Sequence, residues 1–138
     1  MRNLASLVAL DLLVLICSAH GQDTAGEEVA GKVAPAVVMI RGTATGGGPA
    51  FGTGFLVSAD GRIVTSLHVI RDLKSGKVQL PNGDLFDSFL ILAVDERRDL
   101  AILKIAGFDL PSVELGNSNE IRHGERVFLL GNPEGLKG

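Results

Sequence analysis

The chain has 138 residues, of which 46% are hydrophobic and 21% charged, and it carries a formal net charge of −3. That length is the size of one domain, and the composition is that of a chain that buries a core, neither a disordered tail nor a fibrous repeat. The acidic balance offers no electrostatic footprint for phosphate backbones or anionic lipid, and Tyr and Trp are both absent, so nucleic acid is disfavoured as a partner.

The chain opens with a single positive charge at Arg2, an apolar run from Leu4 to Ile16, and the small, polar run Cys17-Ser18-Ala19-His20-Gly21. This is the pattern of a secretory signal peptide over residues 1–21, cleaved after Ala19 or Gly21. The run is shorter than the roughly 20 residues a membrane span needs, and Asp11 interrupts it. No stable membrane insertion is therefore expected after cleavage, and the mature protein is expected outside the cytoplasm, secreted or periplasmic. Cys17, the one cysteine, falls inside the leader, which leaves the mature chain without a disulfide. Its stability must come from its core.

Residues 22–35 read as an N-terminal arm, polar at first and then weakly helical around Glu27, Glu28, Val29 and Val33, until Pro35 stops it. From Ala36 the cadence changes to short apolar runs punctuated by Gly, Asn and Asp. The expected strands are Ala36–Arg41, Gly52–Ser58, Arg62–Ser66, Lys77–Leu80, Leu85–Val94, Leu100–Ile105 and Arg126–Leu130. Ala59-Asp60-Gly61 suits a tight hairpin between the second and third. Asn82-Gly83 suits a type I′ turn with positive φ at both residues. No recurring helical period intervenes, so an all-β barrel or sandwich is expected over a doubly wound sheet.

Thr43 to Gly54 is glycine-rich without the Gly-Lys-Ser/Thr ending of a phosphate loop. These glycines are expected to form a loop, with close backbone approach or a bulge at Gly52 and Gly54.

Histidine is the natural place to look for a general base, because its ordinary pKa lies nearest neutrality. His20 belongs to the leader and His123 to a polar turn, whereas His68 ends the apolar run Ile63-Val64-Thr65-Ser66-Leu67. A histidine buried in the core is the structural alternative there. A base histidine also needs a carboxylate to hold its ring, and Asp99, at the mouth of Leu100–Ile105, is the candidate; Asp72, Asp95 and Glu96 sit among cationic neighbours and read as surface charge.

Three blocks together resemble the trypsin-like serine peptidases, and most nearly the high-temperature-requirement A (HtrA, or Deg) branch. They are Gly52-Thr53-Gly54-Phe55-Leu56-Val57-Ser58 with Ile63 to Ile70, then Arg98-Asp99-Leu100-Ala101-Ile102-Leu103-Lys104, then Leu115-Gly116-Asn117-Ser118 with Gly131-Asn132-Pro133. The resemblance implies the first antiparallel β-barrel of a two-barrel fold over residues 36–131, and the start of an interdomain link at 132–138. It also implies protein or peptide substrates, no cofactor and no metal, and it assigns the base role to His68 and the orienting acid to Asp99. It leaves a homo-oligomer of the full-length protein open.

One departure matters. The family's nucleophile sits in Gly-x-Ser-Gly-Gly, and only Ser118 among the eight serines has the preceding glycine, with Asn119-Glu120 where two glycines belong. The chain is expected to be the amino-terminal part of a serine endopeptidase, inactive by itself, with the second barrel and its serine beyond it. Two alternatives remain: a pseudo-peptidase barrel that only binds, and a metal or small-ligand barrel using His68, His123, Asp99 and Glu125.

Overall fold

The computed structural model describes residues 24–131. Strand alternation explains the sheet. In β1 (Val37–Ala44) Val38 and Ile40 point inward and are fully buried, while Val37, Met39 and Arg41 face outward. β2 (Pro49–Leu56) returns beside it after a turn in which Gly47 has φ +87°, and buries Leu56 on the same face. β3 (Arg62–Ser66) follows a hairpin in which Gly61 takes φ +96°; a side chain there would stand 2.7 Å from the Ile105 carbonyl. β4 (Leu73–Gln79) pairs with the free side of β1 and turns into the short β5 (Leu85–Phe86). β6 (Leu90–Asp95) and β7 (Leu100–Lys104) complete the ladder, β7 lying against β3.

The order is β5-β4-β1-β2-β3-β7-β6, and every pairing is antiparallel. The sheet curls into a half-barrel whose interior holds Val38, Ile40, Leu56, Ile63, Val78, Leu103 and Ile105, all shielded from solvent. After β7 the chain wraps back under the β2–β3 turn, where the Leu110 and Val113 amides donate to the Ala59 and Leu56 carbonyls.

The all-β expectation holds, with corrections of detail. The arm is a ten-residue helix, α1 (Thr24–Val33), with an i,i+4 ion pair between Glu28 and Lys32 and no buried residue. The glycine-rich stretch is mostly strand, because β1 and β2 run on to within four residues of each other. Leu85–Val94 is two strands: residues 87–89 carry the chain from β5, beside β4, to β6, beside β7, and Phe89 fills the space that the absent side chain of Gly76 leaves.

The Asn82-Gly83 turn joins β4 to β5 but is not type I′. Pro81, with its ring-fixed negative φ, takes the first central position of a turn in which the Leu80 carbonyl accepts from the Gly83 amide, so the turn is shifted by one residue and only Gly83, at φ +95°, is left-handed. Arg126–Leu130 is not a strand. Among the described residues it has no ladder partner, and Val127 and Leu129 are exposed.

If this interior carries the fold, Ile40→Ala lowers the free energy of unfolding by about 2–5 kcal/mol in urea denaturation. A loss below about 0.5 kcal/mol, the range of neutral surface changes, contradicts its central place.

Candidate active site

β3 ends at Ser66 and the chain turns at once into a single helical turn, α2 (Leu67–Arg71). Leu67 and Ile70 sink into the core and anchor that turn, so His68, between them in sequence, points outward with its side chain 69% exposed. This disposes of the buried-histidine alternative. The start of α2 lacks a local cap, since the Ser66 side chain makes no capping bond. Asp99, 31 residues away, does that work: its carbonyl accepts from the Leu67 amide at 3.0 Å, and its Oδ1 accepts from the His68 amide at 2.9 Å.

The other carboxylate oxygen meets the ring, with His68 Nδ1 and Asp99 Oδ2 2.5 Å apart. One carboxylate thus holds both the backbone and the side chain of the same histidine. These bonds, the ring's first and the amide's second, hold the Asp99 carboxyl below the usual carboxylate range, with a smaller contribution from the positive charge of Arg71. Asp99 has φ +54°, a left-handed conformation that Asp tolerates better than most residues. The turn before it is built by Asp95, whose Oδ1 accepts from the Arg97 and Arg98 amides while Oδ2 pairs with the Arg98 guanidinium.

Two neighbours fix the platform. Thr65 is 4% exposed, and its hydroxyl donates to the Thr53 carbonyl at 2.8 Å, tying the end of β3 to β2. Gly52 lies under α2: a β-carbon there would stand 2.3 Å from a methyl of Val69. The sequence reading passed over the first of these, although Thr65 is in phase with Ile63 and Leu67, both of which are buried. It signalled the second only as an unspecified close approach.

A proton on Nδ1, the arrangement the carboxylate favours, leaves the Nε2 lone pair of the neutral ring facing solvent. That is the geometry of a general base. The remaining candidates stand apart. Asp72 is exposed and uses its carbonyl to accept from Thr45. His123 lies exposed in a turn, and the Glu125 carboxylate accepts from the Arg122 amide. Among the described residues no three His, Cys, Asp or Glu side chains gather as metal ligands, so the His68, His123, Asp99 and Glu125 set is not assembled. His20 lies outside the described residues.

Residues 52–138 match the family model of the trypsin-like peptidase domain, and the chain belongs to that family. Within it the protein is HtrA-like. It is 40% identical over 119 residues to mitochondrial serine protease HTRA2 of Bos taurus, covering 80% of this chain and 25% of the relative. To a probable periplasmic DegP-like serine endoprotease of Chlamydia pneumoniae it is 41% identical over 86 residues, 62% of this chain and 17% of the relative. Among solved structures, the serine endoprotease from Yersinia pestis superposes with a TM-score of 0.59 at 31% identity, over 65% of this chain and 32% of that one. The HtrA-type protease AlgW with tripeptide gives 0.64 at 30% identity, over 70% and 31%. The chain thus spans a quarter or less of the length of these curated relatives.

Two outcomes test the geometry. Gly52→Ala forces Val69 and its helical turn away from β2, so the His68 and Asp99 resonances shift together in heteronuclear NMR while the far side of the sheet does not; an unchanged His68 contradicts the packing. The second concerns acid. A carboxyl whose folded pKa is depressed favours the fold above its unfolded value near 3.9 and loses that contribution as pH falls through the lower folded value. The Asp99 carboxyl carbon therefore titrates below about 3.9 in the native chain, and His68→Ala moves its midpoint upward. A midpoint unmoved by that change contradicts the pairing.

Proposed function

We propose that this chain supplies the general base and the orienting acid of a serine endopeptidase, His68 and Asp99. The observation that carries the reading is the short contact from His68 Nδ1 to Asp99 Oδ2, which leaves Nε2 open to solvent. In the complete enzyme a serine Oγ attacks the peptide carbonyl and gives its proton to His68 Nε2 as the new C–O bond forms. The C–N bond then breaks, and His68 returns that proton to the departing amine. Asp99 stays ionised throughout, holding the ring and stabilising its charged form.

The nucleophile is not one of this chain's eight serines. None stands before two glycines, the setting in which backbone N–H groups can form an oxyanion hole, and among the described residues no serine hydroxyl is hydrogen-bonded to His68. Residues 22–35 then serve as an arm, 36–131 as the first barrel and 132–138 as the start of a link to a second barrel that carries the serine. Residues 1–21 are a signal peptide and the site of action lies outside the cytoplasm, in keeping with the DegP-like relatives named periplasmic, although the bovine relative is named mitochondrial. Proteins and peptides are the substrates.

These 138 residues alone are expected to be inactive. A serine-directed fluorophosphonate should leave purified residues 22–138 unlabelled, and stoichiometric labelling overturns the assignment of the nucleophile. The native coding frame should continue past Gly138 into a Gly-x-Ser-Gly-Gly motif. An immediate stop codon instead favours the second reading, a pseudo-peptidase barrel that binds without cleaving.

A further inference from the structure

On the outer face of the half-barrel, away from His68, three side chains stand in one row across three strands. Arg41 on β1 is directly opposite Phe51 on β2 and directly opposite Lys77 on β4. Like charges placed opposite each other on antiparallel strands destabilise a sheet. Here Asp87 relieves only one of them, its Oδ1 lying 2.5 Å from Lys77 Nζ. The Arg41 guanidinium makes no side-chain hydrogen bond or ion pair with any described residue. Two cations and one anion leave one uncompensated positive charge on a chain whose net charge is −3. The row opens onto a concavity of about 340 Å³ that Arg41, Phe51, Lys77 and Asp87 help to line, and Phe51 is 47% exposed there.

We infer that this concavity binds an extended peptide segment in which a carboxylate side chain lies two residues from an apolar one. A guanidinium fork with an ammonium beside it matches a single carboxylate. The exposed ring beside them matches an apolar side chain. The spacing selects an extended chain crossing the strands: neighbouring strands are about 4.8 Å apart, so a carboxylate midway between Arg41 and Lys77 sits about 7 Å from Phe51, and residues i and i+2 of an extended peptide are about 6.8 Å apart on one face. Two cations in an acidic chain are too few to follow a phosphodiester backbone. The site uses neither His68 nor Asp99, so it stands whether or not the complete protein cleaves peptides.

The test is fluorescence anisotropy with the full chain and a fluorescein-labelled peptide, Ala-Ala-Asp-Ala-Leu-Ala. Saturable binding is expected, weakened about tenfold or more when the peptide Asp is replaced by Asn, and likewise by Arg41→Gln. Lys77→Gln, at an exposed position that leaves the sheet intact, should weaken binding and provides the check if Arg41→Gln fails to fold. Lys74→Gln, on the same strand but outside the concavity, should leave it unchanged. Equal binding of the Asp and Asn peptides, no binding of either, or full affinity in Lys77→Gln overturns the proposal. So does displacement of the peptide by inorganic phosphate at comparable concentration, which makes this a simple anion site.

Discussion

The arrangement depends on one carboxylate. Asp99 stands immediately before β7 in a left-handed conformation, and from there its carbonyl and both side-chain oxygens reach across to the start of α2. A five-residue helical turn has no independent stability, and Ser66 provides no side-chain cap. The turn forms because Asp99 satisfies its first amides while Leu67 and Ile70 are buried beneath it. Capping the helix and orienting the imidazole are therefore one act. The position of the ring follows from the same contacts that allow the backbone to turn.

The rest of the half-barrel brings the two ends together. β3 and β7 are neighbours in register, with Ser66 opposite Leu100, so His68 and Asp99 emerge at the same end of this strand pair. Thr65 bonds across to β2, and Gly52 lets α2 lie close against that strand. The buried Ile40, Ile63 and Leu103 hold these strands at a common curvature. The contact is exposed, and the Asp99 carboxyl is held low chiefly by its hydrogen bonds, so precision comes from backbone placement more than from burial.

Much of the sheet was legible because an inward-outward alternation leaves a period of two. Arg62–Ser66 has the bounds expected, and Leu100–Lys104 differs by one residue. What failed was local geometry. Five residues are too few to display a helical period, so α2 left no signal, and its cap lies 31 residues away where no rule of adjacent residues looks for it. Pro81 changed the turn type that Asn82-Gly83 suggests in isolation. Arg126–Leu130 has strand composition, but composition does not supply a partner for the ladder. His68 and Asp99 could be named individually from their positions at strand ends. Asp99 could be matched to His68 because a base histidine needs a carboxylate and the other acids sit among cationic neighbours, while the resemblance assigned the two their roles; linear spacing alone carries no information about a contact made across β3 and β7.

The most direct measurement is the protonation of the His68 ring, read by proton and nitrogen NMR on the chain with labelled histidine. In the neutral ring the proton should sit on Nδ1, shifted downfield by the Asp99 carboxylate, with Nε2 unprotonated, and the downfield signal should vanish in Asp99→Ala. A proton on Nε2, or an Nδ1 signal indifferent to that substitution, contradicts the account, because a ring held the other way presents no free base to a nucleophile.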